Sequence, residues 1–451
     1  MKEHEAIYDA ARLGTAKILI LGLQHLFAMF GATILVPILV NGYFHGEGLS
    51  VQVTLFCAGF GTLLFHFCTK LKVPAFLGSS FAFLGGFATV AELPEFKDMS
   101  YGEKLPYACG GIVVAGALYL ILALLIKGLG VKRVMRFLPP VVTGPIIICI
   151  GLGLAGSAVG NASMNWPLAL IALATVIVFN IWGKGMFKIV PILMGVVIAY
   201  IVAIIMQAMG MTNADGSAII DWTSISTASF VGIPQFMIAK FNLSAVLVMA
   251  PIAIASMMEH VGDISAISAT TGRNFIEDPG LSRTLVGDGL ATMMAGFVGG
   301  PANTTYGENT GVLELSKVYD PIVIRIAAIF AIILSFIPKL SAVFGTMPTA
   351  IVGGISFILY GMISAIGVRN IVENQVDFKK SRNLIVAAVI LVIGLGSDGL
   401  NIPFGNNGNS LTITALALAS IVGILLNAVL PDKDYEFGEN PSGDKNRGVH
   451  I

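Results

Sequence analysis

Four carboxylates stand inside sequence segments that are otherwise strongly apolar: Glu259, Asp263, Asp288 and Glu308. A charged side chain in an apolar segment of membrane-spanning length is rare and usually functional. Glu259 and Asp263 are four residues apart, so they share one face of a helix. Two carboxylates held close together in a medium of low dielectric cannot both ionise cheaply, so the pair titrates jointly. Glu259, Asp263 and Glu308 are therefore the candidates for proton coupling.

The same acids suit a ligand of a particular chemistry. A carboxylate accepts hydrogen bonds and donates none, so Glu259 and Glu308 favour N–H groups and repel an anion. Backbone N–H groups freed near Phe81 and Gly307 would bind carbonyl oxygens. A neutral planar molecule with adjacent N–H and C=O groups, such as a nucleobase, satisfies both requirements. Small amides and a bare cation remain open on this argument.

Several nearby residues are candidates for a supporting role, by stacking on a flat ligand or by bonding the acids. They are Gln24, His25, Ser80, Asp288, Tyr306 and Tyr360. The histidines in apolar segments, among them His66 and His260, show no metal-ligand spacing, and no CxxC motif occurs. The sequence therefore predicts neither a metal site nor a cofactor.

Composition places these residues in a membrane protein. Of the 451 residues, 56% are hydrophobic and 12% are charged, with a mean hydropathy of +0.86. Soluble domains carry about 25% charged residues. Apolar runs of about 17–25 residues are long enough to cross a bilayer as helices. We predict an all-α, multi-pass protein of the cell membrane, and the formal net charge of zero suggests no nucleic-acid partner.

Fourteen apolar segments are predicted to span the membrane. They cover residues 15–40, 51–69, 74–90, 105–126, 137–158, 166–182, 187–209, 243–268, 284–300, 301–316, 320–344, 348–365, 382–397 and 410–430. With both termini cytoplasmic, only Lys97, Lys104, Lys240 and Lys339 of the 26 basic residues fall on the external side. Basic residues collect on the cytoplasmic side of membrane proteins. This predicts cytoplasmic tails at 1–14 and 431–451 and an external loop at 211–242.

An internal repeat relates the two halves of the chain. QH at 24–25 matches EH at 259–260, PAFLGSS at 74–80 matches PANTTYG at 301–307, and LPPVVTGPIIICIGLGLAG at 138–156 matches MPTAIVGGISFILYGMISA at 347–365. Seven segments per half place the second half upside down. Inverted repeats with Gly/Pro-interrupted segments at matching places are typical of secondary transporters, and the interrupted segments point to the binding site. Segments 3 and 10 are therefore predicted to be interrupted helices that line the binding site.

Several longer motifs resemble one family. They are QHLFAMFGATILVP (24–37), VPAFLGSSFAF (73–83), EHVGD (259–263), DPGLSRTLVGDGLATMMAGFVGGPANTTYGENTGV (278–312) and GGISFILYGMISAIGVRN (353–370). They are similar to the nucleobase–ascorbate transporter family, in its bacterial uracil permease branch. The resemblance implies fourteen segments in two inverted repeats of seven, with a short extended strand in each of segments 3 and 10. It also implies a core domain (15–130 and 243–346), a gate domain (131–210 and 347–430), and a homodimer.

The resemblance also implies roles for individual residues. Carried over by position, Glu259 and Glu308 hold the base and the backbone at Phe81 and Gly307 bonds it. Ala32 and Tyr360 lie near the pocket. The function predicted is proton-coupled import of uracil by alternating access of the core domain against the gate domain, without enzymatic chemistry.

Two features keep alternatives open. Asp263 stands where the uracil branch carries a histidine, and Asp263 with Asp288 is more similar to the purine-carrying branch. That branch has glutamine at the position of Glu308. A xanthine or urate permease is therefore the first alternative, and an anion exchanger or channel on the same fold is a more distant one. Sodium in place of the proton also stays open.

Overall fold

The computed structural model describes residues 6–403, 410–433 and 435. Most of the predicted tail at 431–451 and the first five residues of the tail at 1–14 lie outside these ranges. Ten helices form the first half of the chain: α1 (Thr15–Tyr43), α2 (Val51–Cys68), α3 (Leu84–Ala91), α4 (Tyr101–Leu129), α5 (Val131–Met135), α6 (Pro140–Gly153), α7 (Ala155–Ser163), α8 (Trp166–Trp182), α9 (Met186–Ile189) and α10 (Pro191–Ala208).

Ten more helices follow. They are α11 (Trp222–Thr227) in the predicted external loop, then α12 (Leu243–Met249), α13 (Ile252–Thr271), α14 (Leu281–Phe297), α15 (Gly307–Ser316), α16 (Pro321–Ser335), α17 (Pro338–Gly345), α18 (Thr349–Glu373), α19 (Ser381–Gly396) and α20 (Ala415–Val429). The strands are β1 (Leu77–Ser79), β2 (Asn303–Thr305), β3 (Leu400–Pro403) and β4 (Ser410–Ile413). The described residues are therefore mostly helical, as predicted.

Within the described residues, seven helices are long and apolar enough to cross a bilayer. They are Thr15–Tyr43, Val51–Cys68, Tyr101–Leu129, Pro140–Ser163, Pro191–Ala208, Leu243–Thr271 and Thr349–Glu373. Most of the other predicted segments contain shorter helices, and the one at 320–344 is broken into α16 and α17, which are bent by 84°. The chain is thus a multi-pass membrane protein, while the count of fourteen segments stays a prediction.

The strands occur in two antiparallel pairs. β1 pairs with β2, and both lie in the segments for which extended strands were predicted. The pair of β3 with β4 was not predicted, and within the last predicted segment (410–430) the helix begins at Ala415. Ser410–Ile413 alternates polar and apolar residues with the period of a strand, so the helix begins only at Ala415.

Helix packing follows the two halves of the chain. α2 packs against α16 as α14 packs against α4, and α8 packs against α10 as α19 packs against α20. In the repeat, α2 corresponds to α14, α4 to α16, α8 to α19 and α10 to α20. Each of these contacts therefore has its counterpart when the two halves are exchanged. Glycines permit the close approach of α4 and α14, since a Cβ on Gly116 would lie 2.7 Å from the carbonyl oxygen of Gly289. The packing is consistent with two repeats, and their inverted orientation stays a prediction, as does the core and gate division.

The described part of the N-terminal tail is docked against the helix ends. The backbone N–H of Ile7 donates to the carbonyl of Lys317 at 2.9 Å, and the N–H of Tyr319 donates to the carbonyl of Ile7 at 2.7 Å. The Tyr8 hydroxyl donates to the carbonyl of Thr271 at 2.7 Å. The carboxylate of Asp320 accepts the N–H of Ala10 at 2.8 Å. These contacts connect the C-terminal ends of α13 and α15, the two helices that carry Glu259, Asp263 and Glu308.

Candidate functional site

The centre of the site is the short pair of β1 and β2. Leu77 faces Thr305, Gly78 faces Thr304 and Ser79 faces Asn303. Each strand runs into a helical turn, Phe81–Phe83 after β1 and α15 after β2. Because the strands are antiparallel, the two turns begin at opposite ends of the pair. No side-chain cap bonds the first N–H groups of either turn within the described residues. Apart from the N–H of Glu308, which bonds its own carboxylate, these donors have no side-chain partner and suit a ligand that accepts hydrogen bonds.

Buried hydroxyl groups hold β1 in place. The Tyr306 hydroxyl donates to the carbonyl of Ser79 at 2.9 Å, and the Ser79 hydroxyl donates to the carbonyl of Thr33 at 2.8 Å. The backbone N–H of Leu77 donates to the hydroxyl of Thr62 at 2.9 Å. α1, α2 and the residue after β2 therefore fix the same three-residue strand. Thr33 and Thr62 were not among the predicted site residues.

A buried amide holds β2 in the corresponding way. The side-chain N–H₂ of Asn303 donates to the carbonyls of Cys57 at 3.1 Å and Ala291 at 3.4 Å. The Thr292 hydroxyl donates to the Asn303 carbonyl at 3.0 Å. Asn303 thereby joins β2 to α2 and α14. Unwound backbone within a bilayer is tolerated when it is buried in protein and its polar groups are bonded, and both conditions are met here.

The four predicted acids lie within electrostatic range of one another. Glu259 interacts with the charges of Glu308 and Asp288, and Asp263 with those of all three other acids. Gly307 is the first residue of α15, and a Cβ added there would lie 3.8 Å from a carboxylate oxygen of Asp263. The acids therefore lie near one another beside an interrupted helix, and their roles stay a prediction.

Two of these acids are partly exposed. Glu259 and Glu308 are half-buried. Gly307 is exposed, although Tyr306 before it and Asn309 after Glu308 are buried. Within the described residues, no other residue donates a hydrogen bond to Glu259, and the Glu308 carboxylate is bonded by its own backbone N–H. An accessible space therefore borders the acids and the start of α15.

Asp288 has a different environment. It is fully buried, and its Oδ2 lies 2.9 Å from Nδ1 of His260. The same Nδ1 lies 2.7 Å from the hydroxyl oxygen of Thr305 in β2. This network joins α13, α14 and β2. His260 was treated only as a poor metal ligand, yet its match to His25 in the internal repeat is a signal that could have identified it.

His25 and Gln24 lie on α1. His25 is buried, and the Asn309 side chain donates to its carbonyl at 2.9 Å, with the imidazole Nδ1 at 3.2 Å. Because Asn309 follows Glu308 directly, His25 positions the first turn of α15. Gln24 is half-buried and stays a predicted supporting residue.

The remaining predicted residues are placed around the strands. Ser80 is buried and its backbone N–H donates to the carbonyl of Ala302 at 2.8 Å. Phe81 is half-buried in a turn that contacts α13, and Ala32 is buried beside Thr33. Tyr360 is buried on α18, where it interacts with Tyr43 rather than with the acids. Its place near a ligand stays a prediction.

Comparison with known proteins identifies the family. Residues 16–400 match the sequence profile described as "Permease family". The chain belongs to this family. It is a permease of the nucleobase–ascorbate transporter family, in the uracil permease branch, and not an enzyme. A uracil permease of Bacillus caldolyticus is 41% identical over 442 residues, covering 94% of this chain and 95% of that protein.

Other relatives cover the chain to a similar extent. A uracil permease of Bacillus subtilis is 38% identical over 92% of both chains. A putative pyrimidine permease, RutG, of Escherichia coli is 37% identical over 94% of this chain and 91% of its own.

Solved structures share the fold at low sequence identity. The murine anion transporter Slc26a9 in its inward-facing state has a TM-score of 0.66 and 11% identity, over 95% of this chain and 73% of its own. The transmembrane domain of the cyanobacterial bicarbonate transporter BicA has a TM-score of 0.58 and 15% identity, over 90% of this chain and 97% of its own. At such identities the likeness concerns the fold alone.

Proposed function

We propose that this permease imports uracil together with a proton. The uracil permeases at 38–41% identity over more than nine-tenths of the chain support the substrate. The observation that carries the site assignment is the pair of half-buried carboxylates, Glu259 and Glu308, beside uncapped helix starts. Uracil is a neutral ring that alternates N–H donors and C=O acceptors, so it can bond both kinds of group at once.

The proposed contacts follow from donor and acceptor chemistry. The ring N–H groups of uracil donate to Glu259 and Glu308, because a carboxylate only accepts hydrogen bonds. Its carbonyl oxygens accept from the backbone N–H groups at Phe81 and Gly307, at the starts of the two turns. Ala32 and Tyr360 border the ring. Asp288 contributes indirectly, because it contacts His260 and His260 in turn contacts β2.

Proton coupling rests on the concentration of negative charge. Glu259, Asp263, Asp288 and Glu308 share one buried region, and the described cation whose charge reaches Asp263 is Arg369 on α18. Binding a proton relieves repulsion within the cluster, so the loaded site can cross the bilayer with less charge. We propose that Glu308 or the pair of Glu259 and Asp263 takes up this proton.

Movement is proposed to occur between a core and a gate. The four acids and both strands of the site belong to the proposed core (15–130 and 243–346), whereas Arg369 and Tyr360 belong to the proposed gate (131–210 and 347–430). Sliding of the core against the gate would expose the site to either side in turn. We further propose that both termini are cytoplasmic and that the protein forms homodimers.

Uptake into proteoliposomes tests this function. An inward proton gradient should drive accumulation of labelled uracil, a protonophore should abolish it, and unlabelled uracil should compete better than xanthine. Accumulation that follows a sodium gradient and ignores the proton gradient would refute proton coupling. Better competition by xanthine would instead support the purine permease that Asp263 and Asp288 keep open.

The anion transporters of the same fold do not favour an anion for this chain. Their likeness is at 11–15% identity and concerns the fold alone. Four carboxylates at the site would repel an anionic ligand. We expect chloride or bicarbonate to leave uracil uptake unchanged in the same proteoliposomes.

A further inference from the structure

The loop between α10 and α12 contains an extended, apolar stretch. Residues 229–241, SFVGIPQFMIAKF, form neither helix nor strand, and we refer to them as the belt. The distribution of basic residues predicts that the surrounding region, 211–242, is an external loop. A water-exposed loop is usually polar, whereas the belt contains three phenylalanines and four other large apolar residues.

One side of the belt is bonded to the helices beneath it. Its backbone N–H groups donate to carbonyls at the ends of α14, α16 and the first turns of α4. These bonds are Gly232 to Phe336 at 3.1 Å, Met237 to Val298 at 3.2 Å, Ala239 to Phe297 at 3.2 Å and Lys240 to Pro106 at 2.9 Å. The belt is therefore fixed along the protein surface rather than projecting from it.

The other side of the belt is apolar and uncovered. The exposed fraction is 73% for Phe230, 80% for Val231, 78% for Ile233 and 80% for Ile238. An exposed apolar patch of this kind in a soluble environment marks an interaction surface.

The belt continues the apolar surface of a membrane-spanning helix. The ring of Phe236 lies 5.0 Å from that of Phe56 on α2, and Phe56 stacks on the 42% exposed Phe60 at 5.8 Å. Phe56 is five residues after the start of α2 at Val51, which is about 7.5 Å along the helix axis. Phe236 therefore lies at the depth of the span and not beyond its end.

Two cations accompany the apolar residues of the belt, Lys240 within it and Lys339 on α17. The Lys339 ammonium lies 5.5 Å from the ring centroid of Phe230, and the Lys240 ammonium lies 5.7 Å from that of Tyr107. Lysines at a membrane interface bury their stems in the apolar layer and keep their charge at the phosphates. Apolar side chains flanked in this way are typical of segments that lie in the plane of the interface.

We infer that the belt is an interfacial anchor bound by lipid, with its apolar side chains among the upper acyl chains and Lys240 and Lys339 at the phosphates. The leaflet is the one on the side where α2 begins. Through its bonds to α4, α14 and α16, the belt fixes the depth of these helices in the bilayer. Lipid would cover the outer face of the belt and the lipid-facing surface of α2 together, so it requires that these two surfaces be continuous, as they are. A protein partner would not require this continuity.

Fluorescence quenching in nanodiscs tests this inference. Ile233→Cys and Ile238→Cys are each labelled with an environment-sensitive dye in a Cys68→Ser background, since the other cysteines are buried. Ala214→Cys, exposed in the same loop but outside the belt, is the matched control. Phospholipids brominated near the headgroup should quench the two belt probes several-fold more than the control, and aqueous iodide should show the opposite order.

Either of two results would overturn the inference. Equal iodide quenching at the belt and at Ala214→Cys would show that the belt faces water. Protection of both belt probes from iodide and from brominated lipid would show that protein covers the belt, as in a contact between two copies. Two belt positions are labelled, so that if one variant does not fold, the quenching of the other still tests the inference.

Discussion

Replacing Gly78 with alanine should disrupt the strand pair at the centre of the site. Gly78 is the middle residue of β1, and its φ is not positive, so alanine is compatible with the backbone. The obstacle is steric, because a Cβ there would lie 2.3 Å from two ring carbons of Tyr306 and 2.8 Å from the hydroxyl oxygen of Thr33.

The size of the effect follows from these distances. Carbon atoms in favourable contact are about 3.5 Å apart or more, so the Tyr306 ring must move by about 1.2 Å. The bond from its hydroxyl to the Ser79 carbonyl, now 2.9 Å, would be broken. Overpacking costs about 1–3 kcal/mol and a lost hydrogen bond about 0.5–1.5 kcal/mol. We expect Gly78→Ala to lower the free energy of unfolding by about 2–4 kcal/mol.

Unfolding of the purified protein by a denaturing detergent, followed by circular dichroism, measures this loss. Gly128→Ala is the matched control, because nothing lies within 4 Å of a Cβ on that exposed residue of α4. It should leave stability unchanged or raise it by up to about 1 kcal/mol. Uracil uptake should fall in the first variant only. Unfolding curves and uptake that are equal for Gly78→Ala and the unaltered protein would refute the proposed packing of Tyr306 on β1.

Two further substitutions test the contacts around the site. His260→Phe leaves the buried Asp288 without its partner and should cost about 1–3 kcal/mol in unfolding free energy. Adding Asp288→Asn should cost less than the sum of the single effects, and strict additivity would contradict the contact. Asp320→Ala removes the cap of α16 and the acceptor for the N–H of Ala10. It should lower the free energy of unfolding by about 1–2 kcal/mol and speed proteolysis before residue 13. An unchanged cleavage rate would show that the N-terminal segment is not held there.

The sequence was sufficient to predict the elements that carry the site because the signals are local. Glycine and proline at Gly78 and Pro301 interrupt apolar segments, and carboxylates in such segments stand out against a membrane background. The interruption of segments 3 and 10 and the choice of the four acids followed from these signals, whereas the extended strands were implied by the family resemblance. The pairing of β1 with β2 was not predicted.

The parts that were missed depend on contacts between distant residues. Nothing near His260 in the sequence reveals that Thr305 and Asp288 converge on one imidazole nitrogen. The β3–β4 pair joins residues across the 404–409 stretch, and its short strands carry a weak periodic signal. The N-terminal segment was predicted only as a tail, because its bonds to Lys317 and Thr271 use backbone carbonyls, which have no residue signature.

The central claim is that Glu259 accepts hydrogen bonds from the substrate, and the affinity of uracil for Glu259→Gln tests it most directly. Glutamine offers one acceptor oxygen and turns an N–H₂ group toward a ring N–H. Loss of one charge-assisted bond, about 1.5–3 kcal/mol, should weaken binding by about 10- to 100-fold in calorimetric titration. Glu314→Gln, an exposed acid on α15, should bind uracil like the unaltered protein. Equal affinity of all three proteins would contradict the account.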